Sequence, residues 1–536
     1  LEAYINGNII TMNSDLQNAN YFIVEDGCFS EVGNDFELSS FDGEIIDLKG
    51  KTVLPGFTDS HMHILSYATK KEFQVDLTKV RSLEQLADVT KEFVKKKKLK
   101  KGDWVVGVGW NHEYFEDCKL PDRKLLDEIS AELPIILIRA CYHICVVNTK
   151  ALDLAGLLSE TKEVNGGQID RDGQGNPTGI LRENACELVE GLIPTINDIK
   201  TVKELLISGL NDAASVGLTT VCIDDFSYVE DKEMLLRAYK ELEKDDKLPI
   251  NIILQLRTES VEDIHTYKRL GLKSWQKGKR IVVGPIKIIG DGSLGSSTAA
   301  LNEPYENEGD NRGILVETED KLDKMINESF NNDFDIAIHA IGDRAMQVIL
   351  DSYKRYQNII KEKKFTPSII HCQIANEKVI QDMKAMNIIA NIQPIFVCTD
   401  WRIVRKRVGK LREKYSYCWN TFLKNEILCV GGSDAPIESF NPLYGIYSAV
   451  TRKDMESKPE GGWCTEEAVS IKEAVKMFTI NTAYATHQEQ ERGSIQKGKN
   501  ADFVILDKDI ENIYDDFNGC RVIRSYVAGK QVYTKI

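Results

Sequence analysis

Between residues 54 and 430 the chain alternates short apolar runs with amphipathic stretches, most of them of helical length. The apolar runs are Leu54–Asp59, Thr219–Asp224, Ile252–Leu256, Pro285–Ile289, Ile336–His339, Ser368–His371, Ile388–Ile392 and Ile427–Val430. Their lengths and bounding breaks predict buried strands, and the alternation with helices predicts a parallel sheet. Eight such units predict a TIM-type (β/α)8 barrel. The two ends of the chain read differently. Near the start, Tyr4-Ile5, Ile9-Ile10 and Phe22–Val24 are strand-like, with turns at Asn6-Gly7 and Asp26-Gly27. Near the end, Ala501–Leu506 and Val522–Val527 are strands, with turns at Lys497-Gly498 and Gly529-Lys530. Residues 1–53 and 485–536 are therefore expected to share one small β-sandwich-like domain. Residues 54–69 and 211–484 are expected to form the barrel.

The first interval between strands is anomalous, at about 160 residues where the others are far shorter. It holds strand candidates of its own, Trp104–Val108 and Ile135–Arg139. It also holds a helix opened by a capping box, Ser82-Leu-Glu-Gln85, with Leu86, Val89 and Phe93 on one face. This predicts an inserted α/β subdomain, residues 70–210, over the barrel mouth. The lysines at 95–98, 100 and 101 close that helix as a solvated basic end.

Hydrophobic content of 42% and charged content of 28% place the chain among ordinary globular proteins. The net charge of −15 argues against nonspecific binding to nucleic acid or to an anionic membrane. Twelve cysteines occur with no CxxC pair, so free thiols in a reducing cytosol are expected. Leu1–Gly7 does not form a signal peptide, and no apolar run reaches spanning length. A cytoplasmic protein is the expectation.

The chemistry gathers at the predicted strand ends. His61 and His63 are two apart at the exit of a strand, which puts both imidazoles on one side. His339 and His371 each end a later apolar strand, and Asp434 follows another through a glycine turn. Any one of these alone reads as an ordinary core histidine or a turn residue. Together, at the barrel end where active sites lie, they predict a metal site. Lys287 sits inside the apolar run Ile281–Ile289, where a bare ammonium is costly. Carboxylation would turn it into an anionic oxygen ligand bridging two cations. Gly290-Asp-Gly-Ser-Leu-Gly295 matches the dinucleotide-binding fingerprint in spelling, but a loop rather than a helix is expected after it, so no nicotinamide or flavin site is expected.

These residues and their surroundings resemble the amidohydrolase superfamily, in particular the YtcJ-like amidohydrolase family 3 group that includes N-substituted formamide deformylases. The resemblance is carried by Leu54-Pro-Gly-Phe-Thr-Asp-Ser-His-Met-His63, Gly109-Trp-Asn111, Asn148-Thr-Lys-Ala-Leu152, Lys287-Ile-Ile-Gly-Asp-Gly-Ser-Leu-Gly295, His339-Ala-Ile-Gly-Asp-Arg-Ala345, Gly432-Ser-Asp-Ala-Pro436 and the segment Gly493–Asp507. It implies a metal-dependent hydrolase barrel and a composite β domain, with Lys287 matching the lysine that such enzymes can carboxylate. The expected reaction is hydrolysis of a C–N bond, amide or N-formyl, by a hydroxide activated on one or two divalent cations, Zn²⁺ being the expected metal. His61, His63, Lys287, His339, His371 and Asp434 are the expected ligands. Asp434 doubles as proton carrier, His143 acts on the oxyanion or holds the substrate, and Trp110 and Asp291 line the pocket. The alternative is deamination of a heterocycle on a single metal. A non-catalytic scaffold would have lost ligands, and all six are present. The expected partners are a small-molecule substrate and, in a homodimer, a second copy of the chain.

Overall fold

The computed structural model describes the chain apart from residues 38, 40, 117, 141–143, 159–163, 165–166 and 536. Eight parallel strands form its central sheet: β1 (Phe57–Met62), β2 (Leu218–Ile223), β3 (Asn251–Arg257), β4 (Ile281–Ile289), β5 (Ile336–Ala340), β6 (Ser368–His371), β7 (Ile389–Ile392) and β8 (Cys429–Gly431). They are ordered as they occur in the chain, and each pairs in parallel with the next. This is the TIM-type barrel expected. The seam between β8 and β1 is closed just past the strand ends. Asp434 N donates to His61 O at 2.8 Å, His63 N donates to Ala435 O at 2.7 Å, and Ser433 N donates to Asp59 Oδ1 at 3.1 Å. Gly432 permits this approach, since a Cβ there would stand 2.9 Å from the His61 nitrogen.

Sequence and structure part company at the first strand. The run Leu54–Asp59 is split in two: Thr52–Pro55 joins a terminal sheet, and the barrel strand begins at Phe57. Pro55 lacks an N–H, and Gly56 hands the chain from one sheet to the other. The outer helices follow their apolar periodicity. Helix Lys232–Lys244 is capped by Asp231, whose carboxylate accepts from Met234 N, and it buries Met234, Leu235, Ala238, Tyr239 and Leu242. Burying each large apolar side chain of this kind stabilises the fold by about 1.5–3 kcal/mol.

The terminal segments form two further sheets, one of six strands that mixes both ends of the chain and one of four built from the N-terminal end. Within the six, Thr52–Pro55 pairs with Phe503–Leu506, so residues far apart in sequence share hydrogen bonds. Tyr4, Phe22, Phe29, Phe503 and Tyr526 stack between the sheets as an aromatic core. Strand Lys530–Thr534 was read from sequence only as a turn at Gly529-Lys530.

The chain divides into two compact units, residues 1–65 with 206–536, and residues 66–205. The second unit has its own six-stranded sheet with an apolar cluster on each face. Its helix Leu83–Lys97 is capped by Ser82, which accepts from Gln85 N at 3.1 Å. The capping box is incomplete: Gln85 Oε1 accepts from Arg81 N rather than from the Ser82 amide. Val89, expected on the buried face, is exposed. Gly290–Gly295 is followed by irregular chain and no helix until Glu319, the loop expected there. The described cysteines are free. Among the described residues no helix is long and apolar enough to cross a membrane.

Candidate metal centre

Six side chains called from the sequence share one cavity of about 540 Å³ at the C-terminal ends of the strands: His61, His63, Lys287, His339, His371 and Asp434. β1 carries His61 and ends just before His63; Lys287 lies in β4, His339 in β5, and His371 closes β6. His371 (φ 83°) and Asp434 (φ 58°) adopt the left-handed backbone region, which costs a non-glycine residue about 1–3 kcal/mol and is typical of over-determined active sites. A larger cavity, about 690 Å³, lies among the terminal strands and the helices near residue 475, and no histidine lines it.

The imidazoles are held by their far nitrogens. His61 Nδ1 is 2.6 Å from Gln255 Oε1, His63 Nδ1 is 2.6 Å from the Asp224 carbonyl, and His371 Nδ1 is 2.7 Å from Gln393 Oε1. The two glutamine amides donate elsewhere, Gln255 Nε2 to Ser60 O and Gln393 Nε2 to Asn391, so their oxygens must face the histidines. Each acceptor therefore draws a proton to Nδ1, which leaves the Nε2 lone pair of His61 and His371 for a ligand, while the Nε2 of His63 faces Asp434. His339 Nδ1 lies 3.0 Å from Asp291 Oδ1, off the hydrogen-bonding direction. The rings crowd together, with centroids 5.1 Å apart for His61–His63, 5.9 Å for His61–His371 and 4.5 Å for His339–His371.

Asp434 Oδ1 stands where the first pair converges, 3.1 Å from His63 Nε2 and 3.4 Å from His61 Nε2. Burial alone would raise its pKa. The His63 hydrogen bond, with the neighbouring imidazoles adding to it, outweighs that and holds it below the carboxylate range. Burial likewise works against protonation of His63, but the Asp434 bond lifts it to about 9. Burial pushes His61 well down, with Lys287 adding to it, and pushes His371 to about 3 with His339 adding. Lys287 is 1% exposed, and burial brings its amine down to about 8. A fraction of it is thus the free base near neutrality, the form that can react with carbon dioxide.

Asp224, not singled out from the sequence, belongs to the same cluster. Its ligand atom and those of His61 and His63 lie within 4.8 Å of one another. Its Oδ2 accepts from Arg257 Nη1 at 3.1 Å and is 3.8 Å from Lys287 Nζ, while its buried Oδ1 has no partner among the described residues. Imidazole nitrogens, carboxylates and an orphaned buried oxygen suit a divalent cation of borderline softness. A visible signal for Asp224 was its position at the end of a predicted strand, the same position that marked the histidines. Gln255 offered a weaker one, as a polar residue inside an apolar strand.

Two other residues expected at the site lie away from the cavity. Asp291 is 1% exposed and behind His339, not on the cavity wall. Its carboxylate accepts from the main-chain amides of Ala300, Ile341 and Gly342, and so fixes the loops after β4 and β5. Trp110 is fully buried in the core of the 66–205 unit, its Nε1 without a partner among the described residues. His143 lies outside the described residues.

Residues 44–533 match the sequence profile of the amidohydrolase family. The chain belongs to the amidohydrolase family. Bacillus subtilis (strain 168) YtcJ, a protein named as an amidohydrolase, is 32% identical over 94% of this chain and 93% of its own. An N-substituted formamide deformylase of Arthrobacter pascens is 28% identical over 99% of this chain and 98% of its own. Among solved structures, an uncharacterised metal-dependent hydrolase from Pyrococcus furiosus superposes with a TM-score of 0.75 at 31% identity, covering 95% of this chain and 99% of that one. This amidohydrolase is thus a hydrolase of a metal-dependent superfamily, with a histidine and carboxylate cluster where a cation can bind.

Proposed function

We propose that this amidohydrolase cleaves a carbon–nitrogen bond, of amide or N-formyl type, in a small molecule. The observation that carries the reading is the convergence of His61, His63, His339, His371, Lys287 and Asp434 on one cavity. The name of the Arthrobacter pascens relative supports the choice of bond. His61 and His63 would hold one cation and His339 and His371 a second, with Lys287 as a carbamate between them and Zn²⁺ as the metal. Such cations lower the pKa of water to roughly 7 and polarise a carbonyl. Asp434, ionised at neutral pH, takes the proton of the attacking water and returns it to the leaving nitrogen. Gln255, Gln393 and the Asp224 carbonyl keep the imidazoles oriented. His143 is proposed to steady the oxyanion or to hold the substrate. His143→Ala should reduce turnover with metal content intact.

The test is metal content per chain, measured together with a screen of N-formyl and N-acyl compounds. Lys287→Ala should lose metal and lower turnover by about a hundred- to a thousand-fold, the scale of removing a group that builds the charge-stabilising site. Wild type labelled with carbon-13 bicarbonate should show a carbamate signal that the variant lacks. Full metal loading and full turnover in Lys287→Ala would overturn the two-cation reading and favour single-cation deamination of a heterocycle.

A further inference from the structure

The wall of the cavity not used by the ligands carries two carboxylates, and Arg257, also on the lining, is engaged by Asp224 at 3.1 Å. Asp400, at the end of helix Val397–Asp400, and Glu438, in the loop after β8, both line it. They share the hydroxyl of Thr399, which lies 2.9 Å from Glu438 Oε1 and 3.5 Å from Asp400 Oδ1, and also 3.3 Å from the Phe396 carbonyl. One hydroxyl has one proton, so it satisfies only one of these three acceptors at a time. The Tyr417 hydroxyl donates to Asp400 Oδ2. Among the described residues no ion pair reaches either carboxylate, and the neighbouring Arg402 is engaged by Asp454 at 2.6 Å. Burial, with Asp400 adding its charge, lifts Glu438 to about 7.

A second and independent observation lies on the same wall. Gln373 is 3% exposed, lines the cavity, and its Oε1 has no hydrogen-bond partner among the described residues. Its main-chain carbonyl accepts from Tyr417 N at 2.8 Å, which ties it to the residue that holds Asp400. A buried acceptor without a donor costs free energy until a ligand supplies one.

We propose that the substrate carries a primary ammonium group away from the bond to be cleaved, and that Asp400, Glu438 and Gln373 receive it. The inference rests on the hydrolase reading above for which bond is cut, but not for what binds. An ammonium offers three donors and one positive charge, which matches two carboxylates and an amide oxygen. A methyl at that place would leave the acceptors unpaired, and an anion would be repelled.

Binding decides the matter without turnover. The probes are monoformylated diaminobutane and N-pentylformamide, which differ by an ammonium in place of a methyl, titrated by calorimetry into the metal-loaded protein. Wild type should bind the cationic probe roughly ten-fold more tightly, the scale of a charge-assisted hydrogen bond at a half-buried site. The Asp400→Asn, Glu438→Gln double variant should lose that preference by weakening the cationic probe alone. Equal affinities in wild type, or a preference that survives in the double variant, would overturn the inference. If the double variant does not fold, Glu438→Gln alone should reduce the preference, and an unchanged preference overturns the inference equally. A binding preference with neither probe hydrolysed would count against the formamide reading and leave this one standing.

Discussion

The two ends of the barrel both bury charge, but they treat it in opposite ways. At the base, where the strands begin, carboxylates are saturated. Asp335 Oδ1 accepts from Ile336 N, and its Oδ2 accepts from Thr366 N, Thr366 Oγ1 and Trp275 Nε1. Asp502 accepts from Ala528 N and Asn251 Nδ2, with Arg492 3.4 Å away. At the mouth the corresponding groups are left open: among the described residues Asp224 Oδ1 and Gln373 Oε1 have no partner, and the Lys287 amine stands 3.8 Å from Asp224. Burying a polar group is costly unless it is paired, so saturated groups can be kept for the fold, whereas open ones need a ligand to explain them. That is how a barrel separates stability at one end from chemistry at the other.

Three substitutions should break or sharpen this contrast. The largest effect is expected for Asp434→Asn. The amide oxygen can still accept the His63 proton, but it cannot take up the proton of an attacking water. Turnover should fall by on the order of a thousand-fold while the metal-free protein melts within about 3 °C of wild type. A large loss of melting temperature would mean that the mouth also serves the fold.

Asp335→Asn should do the reverse. Its new N–H₂ must face a main-chain donor, so it should cost about 2 kcal/mol of unfolding free energy and leave kcat/KM unchanged. The effect should depend on pH. Burial lifts Asp335 to about 6 from an ordinary value of 3.8, so the folded state binds the proton more tightly than the unfolded one. That contribution is fully present below the unfolded value and is lost as pH rises through about 6. The gap in urea-unfolding free energy between wild type and the variant should therefore widen, by up to on the order of 2 kcal/mol, as pH falls toward 4. A gap that stays constant would count against the assigned burial cost.

The smallest effect belongs to Gln393→Leu, which removes the oxygen that orients His371. Metal affinity should drop about ten- to a hundred-fold in chelator competition, with little change in melting temperature. Unaltered affinity would show that the ring is held by packing alone.

The barrel strands were largely legible because each is a short apolar run, and burial on both faces leaves few other readings. Ile336–His339 and Ser368–His371 were placed almost to the residue. The split at Pro55-Gly56 was not legible, because one continuous apolar run serves two sheets and only the pairing partners separate them. Strand Lys530–Thr534 was missed for a related reason, since it is mostly polar and gains its order from Val522–Val527 beside it.

The candidate ligands could be named from the sequence because metal chemistry admits few residue types and barrel topology gives strand ends a common location. Chain order alone thus determined that His61, His63, Lys287, His339, His371 and Asp434 would be neighbours in any closed eight-strand barrel. It could not determine which nitrogen of each imidazole is free, that Asp224 joins the cluster, or that Asp291 turns away to hold two loops. Those depend on side-chain direction and on contacts between residues far apart in the chain, such as Gln255 with His61, 194 positions away. A hydrogen bond is decided over tenths of an ångström, and only the closed tertiary structure brings the groups within that range.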